Sequence, residues 1–212
     1  GITTWWIAYA TLAGALMAIV VNSFLMSLVW YLAHSARRRF RSNLGYLALV
    51  VFWISFEFFH FHWDIEWPWL NLGNGFANNV KMVQWYEFTG ILGGSLWVLL
   101  VNILVFKLLK YSRKPALRRQ MIYPGIALFV LLAGPLAWSF PVYHSYKEEA
   151  DPVNVVVVQP NIDPYAERYD QQAENEKLQK FVRLAESQTT DQTDLVIGPE
   201  TVFERYPEWR ED

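Results

Sequence analysis

The stretch that decides the fold is WWIAYATLAGALMAIVVNSFLMSLVWYLA, residues 5–33, which contains no charged side chain. A helix needs about 20 mostly apolar residues to cross the hydrocarbon core of a bilayer. Three further segments are similarly apolar, at about residues 44–59, 88–106 and 121–143. The segment at 44–59 is the weakest, because it is short and ends near Glu57. We therefore predict a multi-pass α-helical membrane domain over residues 1–146.

Charge divides the chain into two parts. Residues 1–146 carry 11 basic and 4 acidic side chains, whereas residues 147–212 carry 7 basic and 16 acidic ones. The overall net charge of −2 therefore describes neither part. Because the chain has no cysteine, disulfides, thiolate metal sites and a thiol nucleophile are excluded from these 212 residues.

The basic residues of the first part form two clusters, one after the first apolar segment and one between the third and the fourth. They are Arg37, Arg38, Arg39, Arg41, Lys107, Lys110, Arg113, Lys114, Arg118 and Arg119. The positive-inside rule places both clusters on the cytoplasmic side of a membrane. The loop at about residues 60–87 has three acidic side chains and one lysine, so we expect it to face outward. Four crossings would then place the chain after Tyr146 outside the cytoplasm.

The outward loop is rich in tryptophan, and an interfacial aromatic belt accounts for most of these side chains. Within it, residues 67–74 read WPWLNLGN and form a dense, apolar, turn-rich patch. Such a patch can enter the bilayer surface and admit an acyl chain. The patch is therefore a candidate lipid-contacting element.

Alternating polar residues precede this patch: His60, His62, Asp64 and Glu66. In an extended chain they would share one face as metal ligands, whereas in a helix they would point in different directions. We expect no metal site here. On the third apolar segment, Gly90 and Gly94 form a small-xxx-small pattern that is typical of helix–helix packing.

The second part of the chain predicts an α/β domain. After Pro152, residues 153–159 form an apolar run that is typical of a strand buried on both faces. Apolar residues then recur at helical spacing over about 170–188, and a second strand is predicted at Leu195–Ile197. The order strand, helix, strand indicates a layered α/β fold.

Gly198 and Pro199 end the second predicted strand, so Glu200 would lie at its carboxyl end. Active-site groups often project from such positions. Glu200 is therefore our candidate general base. A Pro-Glu pair after an apolar run is also common on ordinary protein surfaces, and the pair alone does not decide between the two interpretations.

Four predicted membrane segments and three short motifs together resemble apolipoprotein N-acyltransferase of bacteria. The motifs are Trp67-Pro68-Trp69-Leu70 with Gly73 after it, Gln159-Pro160-Asn161-Ile162, and Gly198-Pro199-Glu200. No single motif is specific, but their order and spacing match over nearly the whole chain. The resemblance implies an inner-membrane enzyme whose periplasmic domain is a nitrilase-like α-β-β-α sandwich, of which residues 147–212 would be the beginning.

In that family the sandwich domain uses Glu, Lys and Cys, and the Glu matches Glu200. The Lys and the Cys would lie beyond this sequence, so we expect an internal fragment that is inactive alone. The implied reaction moves an acyl chain from a phospholipid, through a Cys thioester, to the amine of a diacylglyceryl-cysteine lipoprotein. The implied partners are these two substrates and membrane lipid, with no nucleic acid and no cofactor.

The resemblance also implies substrate-contacting residues. These are Trp67, Pro68, Trp69 and Leu70 in the outward loop and Tyr169 near the entrance of the soluble domain. Tyr169 lies between Arg168 and Asp170, where the family has a basic, aromatic and acidic run. The family has Trp at the position of Tyr169, which puts the role of Tyr169 in doubt.

Two other functions fit the same sequence. A membrane-tethered nitrilase or amidase would use the same domain to hydrolyse small amides, with water as the final acceptor. A non-enzymatic membrane sensor would use the outer domain to bind a ligand, and Glu200 would then be structural. A Lys and a Cys in the continuation of the chain would favour an enzyme over the sensor.

Overall fold

The computed structural model describes residues 4–9, 11–40, 44–64, 66–148, 152–161 and 171–199. The chain divides into two compact units, Gly1–Lys147 and Glu148–Asp212, which we call the helical unit and the second unit. The helices and strands are, in order, α1 (Leu12–Phe40), α2 (Leu44–His60), α3 (Tyr86–Ser112), α4 (Ile122–Ser145), β1 (Val155–Val157), α5 (Gln171–Glu186) and β2 (Leu195–Ile197). Short 3₁₀ turns connect the helices of the helical unit.

Three segments are long and apolar enough to cross a membrane: α1, α3, and Pro115–Ser145, which contains α4. The chain is therefore that of a membrane protein. Helix α2 has 17 residues, or about 25 Å at 1.5 Å per residue, against a hydrocarbon core of about 30 Å. Three of the four predicted crossings thus correspond to helices of sufficient length and apolar composition, and all four crossings stay predictions.

The first helix differs from its predicted bounds of 5–33. Residues Trp5–Tyr9 form a separate 3₁₀ turn, and α1 continues to Phe40. The helix does not need to stop where the apolar run stops, because Arg37, Arg38 and Arg39 in its last turn complement the negative end of the helix dipole. Hydropathy alone finds the apolar part of a helix and misses the basic turns that continue it.

Helices α1, α2 and α3 meet in a small apolar cluster of Val29, Trp53 and Leu99. The side chain of Arg37 at the end of α1 lies 5.2 Å from the ring centre of Tyr46 at the start of α2. The other end of α2 contacts the loop that precedes α3, as described below. Helix α2 therefore runs back alongside α1, from one end of the helical unit to the other.

Helix α3 is kinked at Gly90, which has φ 61° and ψ −170° inside the helix. Only glycine adopts this conformation without strain. Gly94, one turn later, lies against the loop: a Cβ on Gly94 would collide with the Tyr86 hydroxyl and lie 3.0 Å from Gly73 Cα. The prediction that Gly90 and Gly94 pack against another helix is therefore wrong. Gly90 makes the kink, and Gly94 packs against Gly73 in the loop.

Helix α4 contains Pro135. Proline has no N–H group, so the carbonyl oxygen four residues earlier, on Leu131, loses its helical partner. The indole N–H of Trp97 on α3 donates a hydrogen bond to this oxygen at 2.7 Å. The proline thus frees a backbone acceptor that joins α3 to α4, which is how membrane helices tolerate proline.

In the second unit, β1 and β2 pair in parallel, with Val156 opposite Val196. Parallel neighbours need a crossover connection, and α5 lies between them in the sequence, as predicted. The strands are less buried than predicted: Val155 is 42% and Val157 72% exposed. A two-stranded sheet and one helix, which are the elements of this unit that the structure describes, do not cover both faces of β1.

Candidate functional site

The predicted Trp67–Leu70 patch lies in the connection between α2 and α3. Pro68, Trp69 and Leu70 form a 3₁₀ turn, in which proline occupies a position that needs no N–H donor. The Trp69 ring is 60% exposed and packs edge-to-face on Trp67, with ring centres 4.9 Å apart. The turn thus exposes Trp69, whose ring packs against the ring of Trp67.

Glu57, in the last turn of α2, joins this helix to the loop. Its Oε1 accepts a hydrogen bond from the indole N–H of Trp53 at 2.8 Å and another from the backbone N–H of Leu72 at 2.9 Å. The side chain is only 4% exposed. A buried carboxyl group that accepts from both a helix and a loop fixes the loop against the end of α2.

Asn71 and Ser95 join the same loop to α3. The Ser95 hydroxyl donates to Asn71 Oδ1 at 2.6 Å, and the Gly73 N–H donates to Ser95 Oγ at 2.9 Å. The Tyr86 hydroxyl donates to the Gly73 carbonyl oxygen at 3.0 Å. Ser95 is fully buried and Asn71 is 7% exposed, so this network is shielded from water. Residues 71–73 therefore have polar partners on both α2 and α3.

His60 makes a separate buried polar contact between α2 and α1. Its Nε2 lies 3.2 Å from Asn22 Oδ1, and both side chains are buried. Because that oxygen accepts, this contact requires the tautomer with a proton on Nε2. Among the described residues, Glu57 Oε2, His60 Nδ1 and Trp67 Nε1 have no hydrogen-bond partner. All three residues line one small cavity of about 10 Å³ under the loop.

A larger open cleft adjoins this cavity, between α1 and the loop. It has a volume of about 250 Å³, and Met26 and Leu70 border both the cleft and the small cavity. Asn22 and Ser23 give the cleft a polar edge, while Ile19 and Leu70 are apolar. The surroundings of the loop can therefore accommodate an amphipathic molecule, but these described residues include no thiol or activated hydroxyl that would act as a nucleophile.

The alternating polar residues near the loop do not come together. His60 belongs to α2, and His62 Nδ1 lies 2.7 Å from the Phe58 carbonyl oxygen, in a turn that follows the helix. Among the described residues, no three His, Cys, Asp or Glu side chains are grouped closely enough to hold a metal ion. An extended segment would place these side chains on one face, whereas the helix end and the turn after it point them in different directions.

Glu200 and Tyr169, the two sequence-predicted site residues of the second unit, lie outside the described residues. The structure describes the chain up to Pro199. Because β1 and β2 are parallel, Val157 and Ile197 end at the same edge of the sheet. A Cβ on Gly198 would lie 2.7 Å from the Phe181 ring, so α5 packs closely on the end of β2.

Sequence reasoning missed the polar residues that hold the loop. Glu57 is the one acidic residue within the four apolar segments, and an ionisable group in such a segment usually has a functional or structural partner. That signal pointed to Glu57 but not to its partners, Trp53 and Leu72. Ser95 carried no signal, because serine in a membrane helix most often packs between helices.

The helical unit is similar to a known protein family. Residues 1–104 match the family model described as "Apolipoprotein N-acyltransferase N-terminal domain". These residues belong to the apolipoprotein N-acyltransferase family. The match includes α1, α2, the Trp67–Leu70 turn and most of α3.

Relatives named apolipoprotein N-acyltransferase extend the similarity to the second unit. The protein of Chlorobaculum tepidum is 32% identical over 212 residues, which cover 97% of this chain and 38% of the relative. The protein of Geobacter metallireducens is 27% identical over 217 residues, which cover 97% of this chain and 41% of the relative. The chain thus spans about two fifths of the length of these relatives. No solved structure matches it significantly.

Proposed function

We propose that the full-length protein transfers an acyl chain from a phospholipid to the amino-terminal amine of a diacylglyceryl-cysteine lipoprotein. The observation that carries this proposal is the 32% identity, over 97% of this chain, to a protein named apolipoprotein N-acyltransferase. The three apolar helices support it, because they place the chain in a membrane, where the acyl donor is available.

The reaction has two steps, and each exchanges one bond to the acyl carbonyl carbon. A Cys thiolate outside these 212 residues attacks the ester of the phospholipid; the C–S bond forms, the C–O bond breaks, and a protonated lysophospholipid leaves. The lipoprotein amine then attacks the thioester; the C–N bond forms, the C–S bond breaks, and the amine loses a proton to a base. Two easier transfers replace one difficult transfer.

Glu200 is the residue we assign to the proton transfers. In the first step it would take the proton of the Cys thiol and pass it to the oxygen of the leaving lysophospholipid, and in the second it would take the proton of the amine and pass it to the leaving thiolate. Its support is its place in the sequence, three residues after Ile197 at the carboxyl end of β2. We propose that this unit is the beginning of a nitrilase-like domain. A Lys in the continuation of the chain would stabilise the negative charge on the carbonyl oxygen.

We assign the Trp67–Leu70 turn to the approach of the lipid. Exposed Trp69 and apolar Leu70 suit contact with acyl chains, and the open cleft beside Leu70 has a polar edge of Asn22 and Ser23 that suits contact with a head group. Glu57 and Ser95 are positioning residues for this turn. Tyr169 is assigned to substrate contact by its position between Arg168 and Asp170.

The proposed orientation follows from charge and from the path of α2. The basic residues at the end of α1 and around the α3–α4 connection belong on the cytoplasmic side by the positive-inside rule. Helix α2 leads from that end to the loop, so we propose that α2 is the fourth crossing. The second unit, which follows α4, then faces the periplasm of the bacterial inner membrane.

The test is an acyl-transfer assay with the purified full-length protein in mixed micelles. A phospholipid and a synthetic diacylglyceryl-cysteine peptide are supplied, and mass spectrometry measures N-acylated peptide and lysophospholipid. We expect the two products in a one-to-one ratio over many turnovers. A peptide whose amine is acetylated should give no N-acylated product and at most one lysophospholipid per enzyme. Hydrolysis of small amides with the phospholipid left intact would instead identify a membrane-tethered amidase.

The role of the turn is tested by Trp69→Ala in the same assay. Because Trp69 is exposed, its loss should leave the fold intact and raise the KM for phospholipid severalfold with little change in kcat. Trp138→Ala is the matched control, since Trp138 on α4 is 52% exposed and distant from the turn in sequence. Equal effects of the two substitutions would remove the turn from the lipid path.

A further inference from the structure

One end of the helical unit is strongly basic. It comprises the end of α1, the start of α2, the end of α3 and the turn that leads into α4, and we call it the basic end. Its described basic residues are Arg37, Arg38, Arg39, Lys107, Lys110, Arg113, Lys114, Arg118 and Arg119. No Asp or Glu occurs in residues 37–56 or 88–147, so none of these segments supplies a counter-charge.

Two of these cations come from different helices and lie at the same aromatic ring. The guanidinium carbon of Arg37 is 5.2 Å from the ring centre of Tyr46, and Lys107 Nζ is also 5.2 Å from it. The Arg37 group lies 5.8 Å from the ring of Phe106 as well. The negative face of an aromatic ring attracts cations, so Tyr46 brings a charge of α1 and a charge of α3 together on α2.

The two charges repel each other. Since both lie within 5.2 Å of one ring centre, they are no farther apart than about one Debye length, roughly 10 Å at 0.1 M salt. Two cations held at one aromatic ring, with no Asp or Glu in residues 37–56 or 88–147, are suited to bind an anion. A guanidinium offers paired donors to two phosphate oxygens, and an ammonium adds a compact charge.

Apolar side chains around this pair indicate which anion it binds. Phe40 is 53%, Leu44 53%, Phe106 45% and Leu109 55% exposed. Large exposed apolar residues on membrane-crossing helices face lipid chains, and basic residues at the ends of such helices lie at the depth of head groups. An anion with acyl chains attached satisfies both surfaces, which a soluble phosphate does not.

We propose that Arg37 and Lys107, gathered on the Tyr46 ring, bind the phosphate group of an anionic phospholipid whose chains lie along the exposed apolar residues of the basic end. This site is separate from the Trp67–Leu70 turn and does not depend on the acyltransferase activity. Bound lipid joins α1, α2 and α3 at the end where the polar network of the loop does not reach.

The test uses the full-length protein and native mass spectrometry with phosphatidylglycerol and phosphatidylcholine in competition. We expect the wild type to retain phosphatidylglycerol preferentially. The double variant Arg37→Gln/Lys107→Gln should bind it at least about tenfold more weakly, because it loses two charges at the head-group level, while binding of phosphatidylcholine stays the same. Far-UV circular dichroism checks that the variant remains helical.

Two further variants make the test specific. Lys110→Gln/Arg113→Gln removes the same charge from exposed positions of the basic end, and it should weaken binding less than about threefold. Tyr46→Leu keeps both cations but removes the ring, and it should weaken binding severalfold; this variant decides the question if the double variant does not fold. Equal loss in the two double variants, unchanged binding in Tyr46→Leu, or equally tight binding of soluble glycerol phosphate would overturn the proposal.

Discussion

The helical unit and the second unit both expose apolar side chains, but in different surroundings. In the helical unit the fully buried side chains among the described residues are two serines, Ser95 and Ser139, and large apolar side chains such as Phe129, 71% exposed, lie on the surface. In the second unit the strand residue Val157 is 72% exposed, and the strands are joined by a backbone ladder. The exposed apolar side chains of the helical unit lie on helices that are long and apolar enough to cross a membrane, where lipid would cover them. Those of the second unit lie on the strands of a two-stranded sheet.

The difference shows what stabilises each unit. Lipid chains are as apolar as leucine, so apolar burial contributes little to helix association, and hydrogen bonds and close backbone contacts determine the arrangement. In the helical unit these are the bonds of Glu57, Ser95 and Ser139 to loops and those of Trp97 to α4. The helical unit should therefore be sensitive to single polar or glycine substitutions, and the described strands much less so.

The largest effect is expected for Glu57→Ala. This change leaves the Trp53 indole N–H and the Leu72 N–H without their acceptor, and each unpaired buried donor costs about 1–3 kcal/mol. We expect the free energy of unfolding to fall by about 2–5 kcal/mol, measured by denaturant titration of the full-length protein in mild detergent.

Glu57→Gln is the matched control. Its amide oxygen can accept both hydrogen bonds, so most of the stability should return. If Glu57→Gln and Glu57→Ala destabilise the protein equally, the hydrogen bonds to Oε1 are not what joins α2 to the loop.

A smaller loss is expected for Gly73→Ala. A Cβ at this position would collide with the carbonyl oxygen of Ile91 and lie 2.9 Å from Ile91 Cγ1. Overpacking against a backbone typically costs about 1–3 kcal/mol. Gly75→Ala is the control, because no atom lies within 4 Å of a Cβ at that neighbouring position. Thermal unfolding of the two variants should separate them by several degrees, and equal midpoints would contradict the close approach of the loop to α3.

The smallest effect is expected in the second unit, for Asp194→Ala. The Asp194 carboxylate accepts a hydrogen bond from the Asn154 N–H at 2.8 Å, and this contact is exposed. Its loss should cost about 0.5–1.5 kcal/mol, visible as faster hydrogen exchange of the Asn154 and Leu195 amides. Exposed Asp191→Ala serves as the control, and faster exchange in that variant too would show that the effect is not specific to the Asn154 contact.

Much of the fold was predictable, because hydropathy and strand patterns are local. The helices α4 and α5 and the two strands lie within about two residues of their predicted positions, whereas α1 begins and ends seven residues later than predicted and α3 extends six residues further. The kink at Gly90 was not predictable in this way, because it depends on a left-handed backbone conformation that glycine permits but does not require.

The site was predictable only in part. The Trp67–Leu70 turn stood out because its residues are adjacent in the sequence. The network that holds it joins Glu57, Asn71 and Ser95, which are up to 24 residues apart in one hydrogen bond, and nothing in the local sequence pairs them. The placement of Glu200 and Tyr169 rests on the family resemblance and remains a prediction.

The role of Glu200 as the general base is tested most directly by Glu200→Gln in the full-length protein. Wild-type and variant proteins are incubated with phospholipid, and intact-protein mass spectrometry measures the acyl thioester, followed by the N-acylated peptide after addition of the lipoprotein substrate. If Glu200 is the general base, the variant should form both species at least about 100-fold more slowly, the usual contribution of a positioned base. Wild-type rates for both species would contradict the assignment and leave Glu200 as an ordinary residue after a short strand.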